Sequence, residues 1–475
     1  MKSAAFGWTK RACAVLVIGA AAAVASPAQT FTTLLSFNGY DGFQPEFGAL
    51  VQGPDGNLYG AALVGGEYDY GTIFKLTPSG TLITIHSFDL TDGYGPTGLV
   101  LARDGKFYGT TVMGGPAGNG TFFSISTGGV LTVLCKLTPT DGAQNYGSLI
   151  QGADGSFYGI TTNSGANGYG TVFKVTVGTQ VTFTTLHSFE LTDGAFPFGG
   201  LVQGTDRNFY GTTSEGGADA FCDDGVSFGC GTIFKITPAG VLTTMHEFRI
   251  DDGAYPYAGL IQASDGNFYG TTANGGAYRD YGTVFKMTPG GKLTTLYSFG
   301  PTGGNYPRGA LIQGTDGNFY GTTSGPSPFS VCGDTCGSVF EITSQGVMTP
   351  LQLFDYANGA YSLAGLVQAT NGTFYGTTSE GGSNESGTVF SEAVGLGPFV
   401  ETVPVSGSAG TPVRILGTDL TGTTSVTFNG TAASFTVESP TTINVRVPAG
   451  ATTGAIEVVT PGGTLTGNLL FRVTP

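Results

Sequence analysis

The dipeptide Tyr-Gly returns seven times along this chain, each time inside the same run of residues. The copies are Tyr59-Gly60, Tyr108-Gly109, Tyr158-Gly159, Tyr210-Gly211, Tyr269-Gly270, Tyr320-Gly321 and Tyr375-Gly376. They stand roughly 50 residues apart, a period that belongs to repeat architectures. Around each copy the chain reads close to GLVQGxDGNFYGTT, then a glycine-rich stretch, then GTVFKITPxG and LTTLxSF. A unit of this size with four short apolar runs makes one propeller blade. Seven such units predict an all-β, seven-bladed β-propeller.

The copy from Gly259 to Phe299 shows the four runs most clearly. Strands are expected at Gly259–Gln262, Asn267–Thr272, Gly282–Thr288 and Lys292–Phe299, each rich in β-branched and aromatic residues. Ser264-Asp265-Gly266 and Pro289-Gly290-Gly291 are the tight links between them, since glycine tolerates the positive φ of such turns. The seventh unit has its third run, Gly387-Thr388-Val389-Phe390, but no LTTLxSF copy follows it. An orphan copy, Phe31–Phe37, stands instead before the first unit. Residues 31–37 are therefore expected to pair with residues 387–392 and complete the last blade, which leaves no open sheet edge.

The N-terminus reads as a targeting segment. Lys2, Lys10 and Arg11 precede an apolar run from Ala12 to Val24, and Ser26 and Ala28 are spaced for cleavage before Gln29. That run falls short of the ~20 residues of a membrane span. Residues 1–28 are thus expected to be a signal peptide and the protein to be secreted or held at the cell surface. The chain carries 18 Lys and Arg against 33 Asp and Glu, a formal net charge of −15. Such a balance argues against nucleic acid and anionic lipid as partners, because phosphate binding depends on Lys and Arg.

Several stretches carry resemblances. The Asp-Gly turn between the first strand and an aromatic second one resembles NHL-type propellers, which implies that GLVQ is innermost and LTTLxSF outermost. Pro54-Asp55-Gly56-Asn57-Leu58 resembles the turn of streptogramin-lyase propellers. Those enzymes rely on His and Glu on the ligand face, whereas the histidines here fall in outer strands. The whole unit, over residues 31 to about 394, resembles the GloVer tandem repeat of exported bacterial proteins, which implies location and architecture rather than a reaction. From residue 397 the pattern changes to short alternating strands. Gly410–Leu420, of the form GxxVxIxGxxL, is similar to an IPT/TIG domain, so residues 29–396 are expected to form the propeller and 397–475 an immunoglobulin-like β-sandwich.

Candidate chemistry is sparse. His86, His187 and His246 share one position in the outer strand of three repeats, so they do not converge on one metal ion. The turn aspartates Asp55, Asp104, Asp154, Asp206, Asp265 and Asp316, each before Gly except Asp206, which precedes Arg207, are expected to hydrogen-bond their own turns. A second Asp-Gly series, including Asp41, Asp92, Asp193 and Asp252, lies in the crossover loops before each first strand. Those loops emerge on the face that takes the length variation, where repeat proteins usually bind. Asp41, Asp92, Asp193, Asp252, Tyr255 and Tyr306 are therefore candidate ligand contacts. Asp219, Asp223 and Asp224, in one long loop, are candidate calcium ligands; no other cofactor is expected. Cys222 with Cys230, and Cys332 with Cys336, are expected to form local disulfides, leaving Cys135 free. No nucleophile elbow, phosphate-binding loop or HExxH is present. The sequence favours a non-catalytic binding or scaffold protein that takes a polysaccharide or protein ligand on the loop face. The enzymatic alternative is a polysaccharide lyase or glycosidase.

Overall fold

The computed structural model describes residues 29–474 apart from 116, 219–221, 223–227, 302–303 and 326–335. No helix occurs among the described residues, and the strands form a β-propeller. Seven four-stranded sheets follow the seven repeats in order. In the repeat used above, the strands are Ile261–Gln262, Phe268–Thr272, Thr283–Met287 and Leu293–Ser298, all antiparallel. The inner strand is shorter than expected. Its first half abuts a neighbouring inner strand instead of its own sheet: a Cβ on Gly259 would lie 2.7 Å from the Gly200 carbonyl oxygen.

The orphan copy pairs as expected. Thr30–Ser36 joins Thr388–Ala393 antiparallel, from Thr30 opposite Ala393 to Ser36 opposite Thr388. Its Phe31 ring stacks on Phe390 at 5.4 Å.

The Tyr-Gly motif shows why the repeat holds together. Each tyrosine is buried, and in six repeats its hydroxyl donates to the Asp of its own turn, Asp-Gly in five and Asp206-Arg207 in the fourth, for example Tyr59 to Asp55 at 2.8 Å and Tyr158 to Asp154 at 2.9 Å. Lys75, Lys174, Lys235 and Lys286 reach the same carboxylates at 2.7–2.9 Å and lie over the tyrosine rings. The ring then packs on the second strand of the next repeat, as in Tyr59 on Phe107 at 4.3 Å and Tyr158 on Phe209 at 3.9 Å. A buried ring of this size contributes about 1.5–3 kcal/mol, with roughly 0.5–1.5 kcal/mol more from the aromatic contact. Tyr375, last in the series, packs with Leu58 of the first repeat. The glycine beside each tyrosine has no room for a side chain: a Cβ on Gly60 would stand 2.5 Å from the Phe74 ring.

A second set of contacts also runs from repeat to repeat. The Gln that ends an inner strand accepts from a backbone N–H in the preceding repeat's Asp-Gly turn, as in Ala153 N to Gln203 Oε1 at 2.9 Å and Ser264 N to Gln313 Oε1 at 2.9 Å. Thr370 N donates to Gln52 at 2.8 Å and links the seventh repeat to the first. Only one junction lacks the pair. Pro54 has no N–H to give, and the next repeat carries Leu101 where the others have Gln.

Residues 400–473 form two further four-stranded sheets around a core that includes Val413, Ile415, Phe428, Ile443, Ile456 and Phe471. This unit docks on the face of the propeller that bears the Asp-Gly turns. Leu416 packs with Leu99 and Leu101, Thr441 Oγ1 donates to the Pro54 carbonyl at 2.8 Å, and Arg472 reaches Gly204 O at 3.2 Å. In an antiparallel four-stranded sheet the crossover loops lie at the opposite end, so that face is left clear of the C-terminal unit.

Candidate ligand-binding site

The crossover loop that leads into each inner strand has a fixed construction. Its third residue after the Asp, Gly or Asn that precedes glycine is in the left-handed region in all seven repeats: Gln44, Gly95, Gln144, Phe196, Tyr255, Tyr306 and Tyr361, with φ between 53° and 70°. Six of these are not glycine and are held there by the backbone. In the fifth repeat Tyr255 N donates to Cys230 O at 3.0 Å, and Tyr255 O accepts from Ala273 N at 3.1 Å. This kink aims the residue two places further on at the central axis.

That fifth position differs widely between the repeats. It reads Glu46, Thr97, Tyr146, Phe198, Tyr257, Arg308 and Leu363, with Phe47 inserted beside Glu46. Six of the seven, with Phe47, line the mouth of the central channel. The channel holds a cavity of about 480 Å³, and a groove of about 530 Å³ lies beside it, lined by Glu46, Tyr306, Arg308, Tyr361 and Glu380 among others. Both volumes suit a small-molecule or oligomer subsite.

The mouth has an aromatic side and a charged side. Phe47 and Tyr146 stand 4.7 Å apart, Tyr146 and Phe198 5.7 Å, and Phe198 and Tyr257 5.3 Å, so four rings form one arc. Arg308 ends the arc with its guanidinium 5.0 Å from the Tyr257 ring centre. Burial pushes the Glu46 carboxyl up to about 7, helped by Glu380 and opposed by Arg308. Burial also raises the phenols of Tyr257 and Tyr146 and the carboxyl of Glu380. At neutral pH the mouth thus offers ring faces, a fixed cation and a carboxyl poised between its two forms.

The residues expected from the sequence fall mostly elsewhere. Asp92 Oδ2 lies 2.7 Å from His86 Nε2, Asp193 2.8 Å from His187 and Asp252 3.0 Å from His246. The same carboxylates accept from the backbone of Asp89, Glu190 and Arg249, and Asp41 accepts from Asn38 N. Each of the four is tied to its own turn, one per repeat. Tyr306 lines the groove, and Tyr255 stacks behind Tyr257 at 6.5 Å. Asp219, Asp223 and Asp224 lie outside the described residues. Cys222 and Cys230 are joined, and Cys135 is free. Cys336 is also disulfide-bonded, while Cys332, its expected partner, lies outside the described residues. The channel residues were missed because they vary; their variation at one fixed place in a near-constant repeat was the available signal.

The profile of the Gloeobacter/Verrucomicrobia repeat matches residues 6–222 and 220–437. The chain belongs to that family. No curated protein matches it in sequence. Among solved structures, this repeat protein resembles a streptogramin B lyase with a TM-score of 0.52 at 15% identity, over 77% of this chain and 97% of that one. It also resembles virginiamycin B lyase from Staphylococcus aureus, with a TM-score of 0.50 at 13% identity, over 77% of this chain and 99% of that one. At these identities the likeness is one of fold. No helix among the described residues is long and apolar enough to cross a membrane.

Proposed function

We propose that this protein is an exported ligand-binding protein, a seven-bladed propeller over residues 29–396 with an IPT/TIG-like, immunoglobulin-fold domain over 397–475. Its ligand is an extracellular polysaccharide, taken end-on or side-on at the channel mouth. One observation carries the reading: a near-constant repeat varies, from Glu46 through Tyr146, Phe198, Tyr257 and Arg308 to Leu363, at the place where the blades converge. A scaffold alone has no use for that variation, whereas an asymmetric ligand requires it. An arc of ring faces with charged groups at its end matches a sugar chain, which offers apolar ring faces edged by hydroxyl or carboxylate groups. The Cys222–Cys230 link supports an oxidising, extracytoplasmic setting. The test is a glycan array combined with a turnover screen; binding without product is the expected result, and no binding to any glycan sinks the reading.

A second reading, a polysaccharide lyase or glycosidase, rests on Glu46. A carboxyl raised to about 7 beside Arg308 has the character of a general base next to a clamp for a substrate carboxylate. Turnover that rises as pH increases through about 7 and disappears in Glu46→Gln favours it.

A further inference from the structure

In a chain with only 18 Lys and Arg, three arginines line one cavity where the C-terminal unit meets the propeller. Arg103 comes from the Asp-Gly turn of the second repeat. Arg414 and Arg446 come from Pro412–Leu416 and Thr442–Arg446, paired strands whose other faces, Val413, Ile415, Ile443 and Val445, enter the core. The cavity holds about 430 Å³ and is also lined by Thr436, Asn444 and Phe435.

The hydrogen bonding of these arginines is incomplete. Arg103 Nη2 donates to the carbonyls of Gly152 and Ala153, and Arg446 Nη1 to Gly410 O. Arg103 Nε, Arg414 Nε and Arg414 Nη1 are buried with no acceptor among the described residues. None of the three arginines forms an ion pair with a described residue. The nearby carboxylates are engaged: Asp154 by Lys174 and Tyr158, and Glu438 by Asn444 Nδ2 at 2.7 Å. A buried charged donor without an acceptor is costly, and guanidinium forks match planar or tetrahedral oxyanions in shape. Arg414 cannot swing away freely, since it lies against Gly105, where a Cβ would stand 2.5 Å from its Nη1.

We propose that Arg103, Arg414 and Arg446 form a binding site for an oxyanion, a carboxylate or sulfate group, at the junction of the propeller and the C-terminal unit. The site is separate from the channel mouth, because the junction lies on the opposite face. Phe435 and the polar side chains beside it allow the oxyanion to be a substituent on a sugar as well as a free ion.

The test is thermal unfolding of the full chain in sodium chloride, in sodium sulfate at matched ionic strength, and in chloride with trigalacturonate. In the Arg308→Gln background, which weakens any binding of an acidic glycan at the channel mouth, sulfate or trigalacturonate gives a saturable gain of a few degrees, and adding Arg414→Gln or Arg103→Gln removes that gain. Subtracting the Arg414→Gln curve removes the general salting effect of sulfate. Response to sulfate marks a free-ion site; response to trigalacturonate alone marks a polymer carboxylate. In chloride, Arg414→Gln melts at or above the parent, because a buried orphan cation has been removed. In the Arg308→Gln background, equal gains with and without Arg414→Gln, no gain with either probe, or an added Arg414→Gln that lowers the melting point well below that background in chloride would each overturn the proposal.

Discussion

The guanidinium of Arg308 stands 5.0 Å from the centre of the Tyr257 ring, and the two residues hold the same position in neighbouring repeats. The same left-handed kink, at Tyr255 and at Tyr306, stands two residues before each of them. Arg308 is exposed at the rim, so its removal leaves the fold intact. Arg308→Gln is expected to weaken glycan binding about tenfold or more for acidic glycans and little for neutral ones, since a charge-assisted contact contributes about 1.5–3 kcal/mol. Equal losses for both classes would remove the charge from the account.

The Pro54 and Leu101 pair gives a stability test. Leu101→Gln places an amide where the neighbouring turn has no N–H to donate, and also removes a contact to Leu416. A loss of about 1–3 kcal/mol is expected in denaturant unfolding. Adding Pro54→Ala restores the donor and should recover part of it, a coupling that a double-mutant cycle measures. Strict additivity would show that the Gln-to-turn bond does not join the repeats.

Ring closure depends on Thr30–Ser36. Deleting that strand strips Thr388–Ala393 of its backbone partners and uncovers Phe390. Aggregation or loss of cooperative unfolding is expected, because unpaired buried backbone groups are costly. A deletion that melts like the parent contradicts the closure.

Glu392 is the odd residue of the third strands. The other six repeats carry Leu76, Ile125, Val175, Ile236, Met287 and Ile342 at its position, all apolar. Its side chain is buried, and burial pushes its carboxyl up to about 7. The folded state therefore holds the proton more tightly than the unfolded chain does. That contribution to stability is complete below about pH 4.5 and is lost as pH rises through about 7. Glu392→Leu should raise the melting temperature more at pH 8 than at pH 5, by no more than about 3 kcal/mol of stability, less where solvent screens the charge. A pH-independent difference would place the effect in packing.

The repeat period, the strand order and the closing strand were legible because each is written many times over in residues such as Tyr59, Asp55 and Phe74. The candidate site was not, because it is written once. Asp92 and Asp193 drew attention as members of an acidic series on the loop face, yet each is occupied by the histidine six residues before it, a pairing hidden by the turn between them. Tyr255 and Tyr306 stand in the loops that the sequence marks as candidate contacts, but Tyr257 and Arg308 two residues on reach the channel. Reading that offset requires the left-handed kink at Tyr255 and Tyr306, which no pattern of residue types announces. The docking of Leu416 on Leu101 was equally hidden, since nothing in either sequence names the other.

The channel mouth as the ligand site is tested most directly by glycan binding to three proteins: the parent, Tyr257→Ala and Asp92→Ala. Tyr257 belongs to the aromatic arc, and Asp92 to the outer turn of the same face. The account predicts that Tyr257→Ala loses at least about tenfold in affinity, or about 1.4 kcal/mol, while Asp92→Ala binds like the parent. Parent-like binding by Tyr257→Ala, with the loss falling on Asp92→Ala instead, would contradict it and move the site to the acidic turns.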